Sequence, residues 1–192
     1  KCSGLNLTGN GKRVARLKGE GYFQVSKDRK HPFVVQVGNL NIEVLGTCFN
    51  VYSYEENDFV ETSLIEGSVR LYDSKSPSES FILKPSQKAI YSKNNGKISF
   101  HNTDNVKETA WTQNHLVFES EKLGSVFQKI ERWYGVHIDL LCPEIANDQI
   151  SGSFKDEQLS YVMEALKFQY GFNYEITGNN VTINKSNQLK IK

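Results

Sequence analysis

The spacing of apolar residues changes once along this chain, and that change constrains the fold more than any other feature. As far as residue 101 apolar and polar positions alternate over short runs separated by turn residues, the period of β-strands, with no helical spacing. Beyond residue 109 the apolar positions recur every three or four residues. Leu123, Val126, Phe127, Ile130, Trp133 and Tyr134 form one set, and Leu159, Val162, Met163, Leu166 and Tyr170 a second. Gly135 and Gly171 stand directly behind these sets, where helix stops belong; Ser120 or Glu121 can start the first, and Asp156 and Glu157 precede the second. The chain therefore reads as an all-β domain, sandwich-like or solenoid-like, over residues 13–101, a polar strandless linker over 102–110, and a small domain over 111–185. In the small domain strands at 115–118 and 136–140 bracket the first helix, strands at 149–154 and 173–176 bracket the second, and 181–183 adds a last strand. That is two βαβ units with one strand more.

Within the β domain, residues 44–71 read VLGTCFNVYSYEENDFVETSLIEGSVRL, and the rest of the domain is arranged around them. Strand-like runs at 42–45, 48–54 and 59–71 are separated by a corner at Gly46 and by the polar loop Glu55-Glu56-Asn57-Asp58. Val60, Thr62 and Leu64 alternate with Glu61, Ser63 and Ile65. After Gly67 the alternation resumes, with Val69 and Leu71 on one side and Ser68 and Arg70 on the other, so the run is a bent strand or two short ones hinged at Gly67. Gly38-Asn39 and Gly178-Asn179-Asn180 are hairpin turns. Residues 1–12 read as a loose lead-in.

Composition removes several classes of function. A net charge of +1, with no Lys/Arg-rich block, offers no field for a phosphate backbone, so nucleic acid is not an expected partner. No run approaches the roughly 18–20 apolar residues of a membrane span. The first residue is Lys1 rather than Met, which reads as a processed or excised piece whose targeting segment has been removed. Cys2, Cys48 and Cys142 lack metal-site spacing; Cys48 reads as a small buried hydrophobe, and the terminal position of Cys2 argues against a bridge to Cys142. His31, His101, His115 and His137 are scattered, with no pair at ligand spacing. Glu20 and Glu66, each beside a glycine at a strand corner, could be taken for a glycosidase pair and read instead as solvent-facing turn residues. Trp133-Tyr134 reads as helix core and rim rather than a stacking platform. No catalytic residue, metal site or cofactor is expected.

Five words in order carry a resemblance: LKGEGYFQV at 17–25, PFVVQV at 32–37, VLGTCFNV at 44–51, TSLIEGSVRL at 62–71 and LKPSQKA at 83–89. Together they resemble the extracytoplasmic domain of FecR-type anti-sigma factors. Ser86 departs from the pattern, standing where the family has Gly. Trp111, LVFES at 116–120, Leu123 and IERWYGVHI at 130–138 are similar to the small domain that follows it in Bacteroidetes-like members, in outline the signalling module of secretins and TonB-dependent transporters. The resemblance spans residues 13–184.

It implies a non-enzymatic periplasmic transducer, the soluble part of an inner-membrane single-pass protein. Such a transducer receives a signal from the signalling domain of an outer-membrane TonB-dependent transporter and relays it to an ECF-type sigma factor through a cytoplasmic segment and a membrane span absent here. The alternative is a periplasmic carbohydrate- or peptide-binding module, which would need a deep aromatic-lined pocket in the β domain. For the relay, the chain's last strand is expected at a sheet edge, so that Tyr174, Ile176, Val181 and Ile183 lie on or beside a surface receiving the partner by strand addition, with Pro at Thr182 as its test.

Overall fold

The computed structural model describes the backbone of residues 2–7 and 11–185, with side chains from residue 11 onward. The chain divides into two compact units, residues 1–112 and 113–192.

The first unit holds β1 (Cys2–Leu7), β2 (Arg13–Leu17), β3 (Gly19–Gln24), β4 (Phe33–Val37), β5 (Leu40–Val44), β6 (Cys48–Ser53), β7 (Phe59–Glu66), β8 (Val69–Asp73), β9 (Ser80–Leu83), β10 (Gln87–Ser92) and β11 (Ile98–Asn102). They form a six-stranded sheet in the order β1-β2-β4-β5-β8-β9 and a five-stranded sheet in the order β11-β10-β7-β6-β3. Val35, Ile42, Val44, Leu71 and Leu83 of the first pack against Phe49, Val51, Val60, Leu64 and Ala89 of the second. The unit is thus a sandwich. The lead-in reading of residues 1–12 is corrected: β1 pairs antiparallel with β2, from Cys2 opposite Leu17 to Leu7 opposite Arg13. Backbone pairing at a sheet edge needs no apolar alternation, so composition did not disclose it.

The central stretch crosses between the sheets twice. β5 and β8 pair with each other in one sheet, β6 and β7 in the other, and the chain changes sheets at Gly46 and again at Gly67. The run through Gly67 is therefore two strands in different sheets. Gly46 takes φ +149 and Gly67 φ +94, and the Gly46 carbonyl oxygen lies 2.8 Å from where a Gly67 Cβ would be. The Thr47 hydroxyl donates to Ser68 O at 2.9 Å and ties the two corners together. Cys48 is half-buried rather than enclosed, because it begins β6 at this corner.

Ser86 adopts φ +61 in a turn closed by Gln87 N donating to Lys84 O at 3.1 Å, with Pro85 leading. That is a type II turn, whose third position favours glycine. A glycine would sit there without steric cost, and Ser86 carries strain. Ser86→Gly is expected to stabilise the sandwich by about 0.5–1 kcal/mol, the relief of left-handed strain less glycine's added unfolded-state entropy. A raised thermal midpoint checks it; a lowered one would mean that the Ser86 hydroxyl, which accepts from Asn105 at 3.4 Å, outweighs the strain.

Residues 102–110 are not the strandless linker expected. β11 runs into them, and α1 (Asn105–Thr109) follows, with the Asp104 side chain accepting from Val106 N at 2.9 Å as its N-cap. The polar composition serves a hydrogen-bond network on the outer face of the five-stranded sheet. Glu108 accepts from Ser63 at 2.8 Å and from Thr103, and pairs with Lys88 at 3.0 Å. Next to it Trp111 Nε1 donates to Asn50 Oδ1 at 3.2 Å, and Asn50 Nδ2 donates to Glu20 Oε1 at 2.9 Å. Glu20 therefore anchors this network, while Glu66 is exposed at the end of β7.

The second unit is built from β12 (His115–Lys122), α2 (Leu123–Tyr134), β13 (His137–Leu140), β14 (Gln149–Lys155), α3 (Leu159–Tyr170), β15 (Phe172–Thr177) and β16 (Asn180–Lys185). Lys122, rather than Ser120 or Glu121, stands at the N-cap position of α2 and makes no side-chain capping bond, since β12 continues through those residues by way of a bulge. The element order is the one read from the sequence, but each β-α-β unit is split between two sheets. β12 pairs antiparallel with β14, and a separate sheet has the order β13-β16-β15. Leu123, Val126, Phe127 and Ile130 of α2 and Val162, Met163 and Leu166 of α3 pack with Phe118, Ile150, Phe172, Val181 and Ile183 into one core, with Trp133 and Tyr134 at its margin. Cys142 is a buried free thiol whose Sγ lies 3.9 Å from Ile183 O, and burial, more than the nearby Glu144 charge, pushes the thiol up. The side chain of Cys2 lies outside the described residues.

Candidate partner-binding surface

The structure separates the four residues expected at the binding edge. β16 is the middle strand of its sheet: β13 pairs with it in parallel, Ile138 opposite Val181 and Leu140 opposite Ile183, and β15 pairs on its other side. Val181 and Ile183 are fully buried core residues. The expectation that the last strand lies at an edge is therefore corrected, because β13 occupies the position beside it. Pro at Thr182 would break a central ladder rather than report on binding.

Among the described residues β15 is an edge, and it carries the other two. Ile176 is 39% exposed. Tyr174 is half-buried against the core, its hydroxyl 3.3 Å from Ser160 O and 3.2 Å from Glu164 Oε2. Burial first, and then the Glu164 carboxylate, push the Tyr174 phenol up. The two-residue turn Gly178-Asn179 makes Thr177 and Asn180 the hydrogen-bonded pair of the hairpin, so alternation aims the N–H groups of Tyr174 and Ile176 away from β16. These groups are the template that strand addition uses. β13 is the opposite edge; there His137 lies between Glu131 at 3.0 Å and Asp139 at 3.2 Å.

Beside β15 a shallow open depression is lined by Asp156, Glu157, Ser160, Tyr161, Glu164 and Tyr174. It presents carboxylates and aromatic rings to solvent, groups suited to contact with a partner. Among the described residues no three of His, Cys, Asp and Glu converge as metal ligands. The sequence reading missed Tyr161, Glu164 and Phe168. Its signal was present in the spacing: Tyr161 and Phe168 are seven apart, in phase with each other and out of phase with the core stripe of the same helix.

In the β sandwich Tyr52, Tyr54 and Phe59 form one aromatic group on the outer face of the five-stranded sheet, and Phe81 with Phe100, ring centroids 5.7 Å apart, form an exposed second. Tyr52 meets Tyr54 edge-on at 4.9 Å and stacks on Phe59 at 6.2 Å. These three rings are half-buried and packed on one another.

A family model described as FecR protein matches residues 5–70, and one described as FecR, C-terminal matches residues 115–183. Two crystal structures of a protein assigned as an anti-sigma factor from Parabacteroides distasonis ATCC 8503, at 1.65 Å and 2.50 Å, are similar in fold, with TM-scores of 0.80 and 0.79. Each is 29% identical and covers 93% of this chain, which in turn covers 83% and 82% of theirs. No curated protein matches the chain.

Proposed function

Because the chain belongs to the FecR family, with the role of an anti-sigma factor, we propose that it is the periplasmic receiving part of such a factor. In this reading the signalling domain of an outer-membrane TonB-dependent transporter docks on the second unit, and the occupancy it reports passes to an ECF-type sigma factor through a cytoplasmic segment. No helix among the described residues is long and apolar enough to cross a membrane. The observation that carries the reading is the open β15 edge, with outward N–H groups and the exposed Ile176, in a domain of this family. A carbohydrate- or peptide-binding module would instead use a deep aromatic-lined cleft, whereas Tyr52, Tyr54 and Phe59 of the sandwich pack on one another.

Calorimetric titration of the transporter's purified signalling domain against the chain tests it. Binding is expected. Ile176→Pro, which removes an outward donor while sparing the ladder to β16, should weaken it on the order of tenfold or more with the fold intact. Equal affinity would move the interface to another edge, first of all β12; no binding by the unaltered chain would sink the transporter reading.

A further inference from the structure

Helix α3 is apolar on two sides. Val162, Met163 and Leu166 enter the core, while Tyr161, Ala165 and Phe168 lie together on the opposite face at i, i+4 and i+7. Tyr161 is 59% exposed and Phe168 91%. Ala165, small and half-buried, stands between them in the stripe. A phenylalanine ring standing almost wholly in water contributes nothing to this fold, and large apolar groups gathered on one face and rimmed by charge mark contact sites.

The rim is acidic. The depression that Tyr161 enters carries Asp156, Glu157 and Glu164 in its lining and no cation. The neighbouring Lys167 is engaged, 3.2 Å from Glu164 and 5.9 Å over the Tyr174 ring. An exposed aromatic face beside Asp156 and Glu157, with Glu164 shared with Lys167, suits arginine or lysine twice over, through ion pairing and through the ring quadrupole. The same charges decide between occupants. An anionic membrane surface would be repelled, and a second copy of the chain would bring acidic rim against acidic rim.

We propose that the outer face of α3 is a docking surface for a cationic amphipathic protein segment, one apolar side chain of which seats over Ala165 between Tyr161 and Phe168 while its Arg or Lys residues reach Asp156, Glu157 and Glu164. This surface adjoins the β15 edge at Tyr174 but is centred on the outer face of α3, and its occupant is defined by chemistry whether or not a transporter carries it.

The test uses the whole chain, isotope-labelled, and two synthetic helical peptides with the same apolar i, i+4, i+7 face, one flanked by Arg and its twin by Glu. The Arg peptide should shift amide signals concentrated between residues 156 and 168, with affinity falling several-fold as salt is raised. Phe168→Ser should weaken it at least about tenfold, and combined Asp156→Asn, Glu157→Gln and Glu164→Gln should remove its salt dependence. Phe168 is exposed, so an unchanged melting curve verifies that the variant folds. Four outcomes would overturn the proposal: absence of binding by the Arg peptide, shifts centred elsewhere, equal binding of the Glu twin, or a concentration-dependent dimer abolished by Phe168→Ser. Co-sedimentation with vesicles rich in phosphatidylglycerol, with no response to the Arg peptide, would assign the face to membrane instead.

Discussion

Replacing Gly67 by valine is expected to destabilise the sandwich by roughly 3–6 kcal/mol, more than a strained strand bend alone would cost. Two effects add. At φ +94 the backbone is in a region that β-branched residues avoid, worth about 1–3 kcal/mol. The new Cβ would also stand 2.8 Å from Gly46 O, 2.9 Å from Thr47 Oγ1 and 3.2 Å from Thr47 Cα. Two of those three atoms are backbone of the other sheet crossing. That crossing is held by Val25 N to Thr47 O at 3.0 Å and Thr47 N to Val25 O at 3.1 Å, and a Gly46 Cβ would itself lie 2.7 Å from Lys27 Cα. Neither corner can step aside without moving the other. The chain has two tryptophans, Trp111 in the first unit and Trp133 in the second. Urea unfolding followed through Trp111 in a Trp133→Phe background therefore reads the sandwich. An unchanged midpoint for Gly67→Val would mean that the corner is relaxed.

The corners show where local reading succeeds. The alternation of Val60, Thr62 and Leu64 announced the buried face of β7, and all three are buried. The turn at Gly38-Asn39 and the helix stops at Gly135 and Gly171 were equally legible, because each depends on the conformation of one or two residues. What stayed illegible depends on what comes alongside. Nothing in residues 180–185 announces that β13, some forty residues earlier, pairs with them in parallel, so an edge was expected where a central strand lies. The outward stripe of α3 was written in its spacing and overlooked because the inward stripe already accounted for a helix.

α1 is the other case, since polar residues spell a linker until their partners are known. The expected consequence is that Glu108→Ala costs the sandwich about 2–4 kcal/mol, far above an ordinary surface substitution. The Glu108 side chain is 14% exposed and Lys88 23%, so the pair is largely removed from water. Burial is the largest influence on Glu108 and opposes its charge, yet the Thr103 hydrogen bond, the Lys88 charge and the Ser63 hydrogen bond together hold its carboxyl below the usual value. Burial likewise opposes the Lys88 charge, and Glu61 and Glu108 more than offset it, so Lys88 lies above its ordinary value. Removing the carboxylate leaves the buried Ser63 hydroxyl and Thr103 without their acceptor and Lys88 with Glu61 alone, at 3.2 Å. Glu108→Gln, which keeps an acceptor, should cost less, and Lys88→Met on top of Glu108→Ala should recover part of the loss in a double-mutant cycle. The sign of the pH dependence follows from the two shifts. A depressed carboxyl stabilises above its unfolded value of about 4.3 and loses that contribution as pH falls through the lower folded value; a raised lysine stabilises below about 10.4 and loses its contribution as pH rises through the higher folded value. The gap between unaltered chain and Glu108→Ala should therefore be flat from about pH 5 to 10 and narrow in acid. Urea unfolding across that range measures it, and a gap that persists unchanged well below pH 4 would show that the carboxylate charge is not what holds α1 to the sheet.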